Sequence, residues 1–85
     1  MKRSFTCIHD GTSEYELGKQ YYDEGNYENA INMFMISANC GHPKSTHAVG
    51  LLYYLGQGVP RSVSSAVRWW KRSERLGYSS SDLFL

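Results

Sequence analysis

Cys7-Ile8-His9 and Cys40-Gly41-His42 are two Cys-x-His pairs. Four such ligands suit tetrahedral zinc if the segment carrying the first pair folds back over the second. The spacing is not that of Cys-x-x-Cys sites, and helix termination alone explains Gly41 and His42. A zinc module built on Cys7, His9, Cys40 and His42 is therefore an alternative reading, and the leading expectation is no metal and no cofactor. Cys40 beside His42 or His47 resembles a nucleophile with its base. No orienting third group or oxyanion donor follows in recognisable order, so catalytic residues and enzyme activity are not expected. Glu14 with Glu16 and Asp23 with Glu24 are acidic pairs at helix ends, where a helix start or a solvated face accounts for them.

Arg61, Arg68, Lys71, Arg72 and Arg75, with Trp69 among them, make a basic and aromatic stretch of the kind that holds phosphates and stacks bases. The formal net charge of the whole chain is only +1. That balance favours a solvated outer face and argues against nucleic acid as the partner. No run approaches the roughly 18 apolar residues of a membrane span, so no membrane partner is expected. The basic start, Met1-Lys2-Arg3, is not followed by the apolar run of an export signal. A cytoplasmic location with reduced cysteines is the resulting expectation.

The elements that must position these groups are read from punctuation and periodicity. The chain has 85 residues, enough for one domain with a thin core, and its seven Tyr, three Phe and two Trp supply large apolar bodies for that core. Residues 1–12 lack periodicity and form a leader ending near the Asp10-Gly11 turn pair. Ser13 and Glu16 have capping-box spacing, which predicts a helix over 13–25 with Leu17, Tyr21 and Glu14 beside Gly18 on one face. Asn26 can cap a second helix running to Cys40, whose stripe is Ala30, Ile31, Phe34, Met35 and Ala38.

Gly41 stops the second helix, and Pro43 suits the first turn of a third over 43–56. Gly56 and Gly58 are expected at positive φ in the loop that follows. Ser62 caps a fourth helix with the stripe Val63, Ala66, Val67, Trp70 and Ser73, and Gly77 closes it. The last residues, 78–85, repeat the opening of the third helix and allow a short capping helix. The fold class that results is all-α, with two antiparallel helix pairs.

The two pairs repeat one pattern. Leu17-Gly18, Tyr21-Tyr22, Ala30, Phe34 and Gly41 recur in order as Val49-Gly50, Tyr53-Tyr54, Ala66, Trp70 and Gly77. Ala30 to Ala66 and Gly41 to Gly77 are both 36 residues, a spacing typical of stacked helical repeats. The order Leu17-Gly18, Tyr21, Ala30, Phe34 resembles the tetratricopeptide repeat. Val49-Gly50, Tyr53, Gly56-x-Gly58-Val59, Ala66, Trp69 and Gly77 resemble the related Sel-1-like repeat. The chain departs from that family at Pro60-Arg61, where an acidic residue is usual, and at Arg72-Ser73-Glu74-Arg75, where small residues are usual.

The resemblance implies an α-α superhelix, with a tetratricopeptide-like repeat at 13–41, a Sel-1-like repeat at 42–77 and a cap or truncated repeat at 78–85. It also implies an adaptor that binds a protein or peptide. Projecting the first helix of each pair places Tyr15, Lys19, Tyr22, His47, Leu51 and Tyr54 on the concave face as the expected partner-binding set. Tyrosine suits such a face because it is rigid, large and able to hydrogen-bond. Two repeats are fewer than independent stability normally needs, so a homodimer is a further expectation.

Overall fold

In a computed structural model the described residues are 10–78, and they form four helices: α1 (Thr12–Asp23), α2 (Tyr27–Asn39), α3 (Pro43–Leu55) and α4 (Val63–Arg75). Among the described residues there is no strand. Each helix packs on the next in chain order, α1 on α2, α2 on α3 and α3 on α4. The all-α expectation and its four elements hold to within two residues at the helix starts. The segments 1–9 and 79–85, including the capping helix expected after Gly77, lie outside the described residues.

Local chemistry explains the boundaries. Pro43 occupies the first turn of α3, and the His42 ring accepts a hydrogen bond from the Ser45 N–H. Ser62 caps α4 by accepting from the Ser65 N–H. The helix ends repeat one device, in which a glycine turns left-handed and the next N–H reaches back five residues. Asn26 N–H donates to Tyr21 C=O, His42 N–H to Ser37 C=O and Tyr78 N–H to Ser73 C=O.

The α1 start departs from expectation. Gly11, at φ +85°, is the cap residue, and Thr12 donates its N–H and hydroxyl to the Asp10 carboxylate. Those two bonds do the work expected of Ser13 and Glu16, and they hold the Asp10 carboxyl below the usual carboxylate range. Glu16 instead pairs loosely with Lys19 at 3.7 Å.

The core is the cluster Ala30, Ile31, Phe34, Val49 and Leu52, with Tyr15, Tyr21, Tyr22, Met35, Tyr53 and Trp69 among those packed at its edge. The α2 stripe is buried as expected, with Met35 only half-buried. Two glycines let the helices close. A Cβ on Gly18 would stand 2.7 Å from the Phe34 ring, and one on Gly50 would stand 2.6 Å from the Trp70 indole and 3.0 Å from the Ala66 carbonyl. The aromatic that fills each notch comes from the facing helix.

Further contacts recur at corresponding positions of the two hairpins. Ser37 Oγ donates to the Gly11 carbonyl at 2.7 Å, and Ser73 Oγ donates to the Pro43 carbonyl at 3.2 Å. The Gly11 carbonyl also accepts from the Tyr15 N–H, so the Ser37 hydroxyl is its second donor and ties α2 to the start of α1.

Two expected faces hold only in part, with Tyr21 at the core edge and Ala66 and Ser73 buried as expected. Leu17 is exposed, and α1 turns Tyr15 and Tyr22 toward the core beside Tyr21. Val63 and Val67 are also exposed, while Trp69, assigned to the outer side, packs at the core edge. A helical stripe shows which residues are apolar, and only a neighbouring element decides which of them are covered.

Candidate functional site on the aromatic face of α1 and α3

The six residues projected to one face are half-buried or exposed, and five of them have specific intramolecular contacts. Tyr15 lies 5.8 Å from the Phe34 ring and 4.8 Å from the His42 ring, with the Lys19 ammonium 5.1 Å above it. His47 repeats that arrangement, 5.9 Å from Trp70 and 5.2 Å from Tyr78. The two trios, Tyr15–Phe34–His42 and His47–Trp70–Tyr78, stand at corresponding positions of the two hairpins. Trp70 also donates its indole N–H to the His47 carbonyl at 3.3 Å.

The other pair of tyrosines is at the far end of the same helices. Tyr22 donates its hydroxyl to Gln57 Oε1 at 3.0 Å and packs on Tyr27 at 5.1 Å. Tyr54 packs on Trp70 at 5.7 Å and carries the Arg61 guanidinium 5.5 Å over its ring, while Arg61 Nε donates to the Tyr54 carbonyl. Leu51 is half-buried between the two ends. The face is thus a set of aromatic rings fixed from behind, with the Lys19 ammonium over the Tyr15 ring.

The Tyr15 end opens into a surface depression of about 410 Å³ that Glu16, His42, Lys44 and Tyr78 also line. Sequence reading missed His42 and Tyr78 there. Their 36-residue spacing, equal to that of the two helix-closing glycines before them, was the available signal. Burial lowers the pKa of His47, and it does the same to that of His42. Its Nδ1 lies 2.7 Å from Ser45 Oγ, which in turn contacts Ser37 Oγ, so the His42 ring is tied to the buried hydroxyls between α2 and α3.

Cys40 corrects an expectation: it is disulfide-bonded rather than reduced. The chain's other cysteine, Cys7, lies outside the described residues. No local sequence pattern marks disulfide pairing, and the lack of an export signal does not bear on it. A disulfide sulfur is also no thiolate, so the four-ligand zinc arrangement lacks one of its ligands. His9 lies outside the described residues, and among those described no group of metal-binding side chains gathers.

The basic residues of α4 gather along one depression. Arg68, Lys71, Arg72 and Arg75 line a depression of about 490 Å³ along α4 with Ser65 and Trp69. The Trp69 ring packs at the core edge and carries the Arg72 guanidinium at 5.3 Å. No helix of the described residues is long and apolar enough to cross a membrane. No protein-family model matches the chain, and neither a curated protein nor a solved structure matches it.

Proposed function

We propose that this chain is a non-catalytic protein-interaction module of the Sel-1-like type, within the tetratricopeptide superfamily. It binds a peptide or protein segment across the α1 and α3 face through Tyr15, Lys19, Tyr22, His47, Leu51 and Tyr54, with His42 and Tyr78 at its open end. The observation that carries this reading is the duplication of the aromatic trio. Rings held from behind by Phe34 and Trp70 need little further ordering on binding, which is where a recognition surface saves affinity.

Selection of a displayed peptide library on the purified chain tests the proposal. Enriched peptides should lose at least about tenfold in affinity when Tyr22→Ala and Tyr54→Ala are combined, with the far-ultraviolet circular dichroism unchanged. Equal affinity for wild type and the folded double variant removes this face from the account. The proposed cytoplasmic location is in tension with a disulfide-bonded Cys40. Thiol titration of protein taken directly from its native compartment decides it: two free thiols fit the cytoplasm, and none fits an oxidising compartment.

A further inference from the structure

Leu17 on α1 and Val67 on α4 are 40% and 39% exposed, yet each stands at a position that is closed in the other hairpin. Leu17 corresponds to Val49, 32 residues on, and Val67 corresponds to Ile31, 36 residues back. Val49 and Ile31 are 0% and 3% exposed, because both belong to the core cluster where α2 meets α3. Val63, at 43%, likewise corresponds to Tyr27, whose carbonyl is covered by the Gly58 turn. The outer faces of α4 and α1 are therefore the two sides of the α2–α3 junction, left at the two ends of the helix series.

Charge distinguishes those two ends. Residues 10–39 hold six acidic residues against the single base Lys19, and residues 40–78 hold six bases against the single acid Glu74. The near-neutral total conceals this division. On α1 the acidic groups Glu16 and Asp23 flank the stripe of Leu17. On α4 the bases Arg68, Lys71 and Arg75 flank the stripe of Val63 and Val67 along the depression described above.

We propose that α4 of one copy docks on α1 of a second copy, as α2 docks on α3 within the chain. Val63 and Val67 meet Leu17, and the basic flank of one copy faces the acidic flank of the next. The contact is heterologous, so it does not use up its own surfaces, and assemblies lengthen as concentration rises. The docking faces exclude Tyr22 and Tyr54, which keeps this inference separate from peptide binding on the α1 and α3 face.

Sedimentation velocity of the full chain over a concentration series tests the proposal, at about 0.02 M and about 0.5 M salt. Wild type should grow from monomer to longer species at low salt, with association weakened about tenfold or more at high salt. Val67→Glu and Leu17→Lys each remove one face at an exposed site, and each variant alone should sediment as a folded monomer by circular dichroism. Mixed together, they should form a 1:1 heterodimer and nothing longer, since one intact α1 face and one intact α4 face remain.

A wild-type chain that stays monomeric throughout overturns the proposal, which includes the case in which residues 79–85 cover α4. So does self-association that persists in Val67→Glu, that vanishes on nuclease treatment, or a mixture that stays monomeric.

Discussion

The first and second hairpins make the same internal contacts and differ in what surrounds them. Gly18 meets Phe34 as Gly50 meets Trp70, and Ser37 reaches the Gly11 carbonyl as Ser73 reaches that of Pro43. Yet α2 packs extensively on two sides, against α1 and α3, while the extensive packing of α4 among the described residues is against α3. Corresponding residues therefore have different energetic roles. Ile31 is core and Val67 is surface, although their helices carry similar apolar stripes. Burial in a stacked fold is a property of position in the stack, and sequence periodicity gives only the capacity for it.

The sharpest way to break that comparison is to truncate both residues. Ile31→Ala should destabilise the chain by about 2–5 kcal/mol, because it removes buried methylenes and leaves a cavity. Val67→Ala should change stability by less than about 0.5 kcal/mol in the monomer, as surface substitutions do. Denaturant titration at low protein concentration measures both. Similar losses at the two sites would mean that α4 is covered after all.

A smaller effect comes from pH. Burial lowers the pKa of both His42 and His47, so the folded chain takes up protons at these rings less readily than the unfolded chain. Stability is fully present above the unfolded imidazole value of about 6.5 and declines as pH falls through the lower folded values. The Tm should drop between about pH 7.5 and about pH 5, and His47→Phe, which keeps a ring against Trp70, should reduce the drop. A Tm that holds steady or rises on acidification contradicts the assignment of buried, neutral rings.

Much of the fold was legible because its signals are local. Pro43, Ser62 and the glycines after α2 and α4 mark helix ends by their own backbone chemistry, and the α2 stripe is complete within one helix. The errors arose where an answer depends on a distant partner. Ser13 lost its capping role to Asp10 through Thr12, Trp69 moved to the core edge, and the Cys40 disulfide had no local mark. The aromatic site was half visible: helix projection gave Tyr15 and His47, but His42 and Tyr78 follow helix ends, where projection stops. The division of charge was present in the sequence and hidden by summing over the whole chain.

The most direct test of the matched docking is to add one methyl group to each hairpin, as Gly18→Ala and Gly50→Ala, and measure stability by chemical denaturation. In an open helix this change stabilises by roughly 0.5–1 kcal/mol, since alanine is the better helix former. Here the new Cβ atoms would stand 2.7 and 2.6 Å from the Phe34 and Trp70 rings, and each variant should lose about 1–3 kcal/mol through overpacking. A gain in stability at either glycine would show that its helix pair does not close on an aromatic ring, and the account of paired hairpins would fail there.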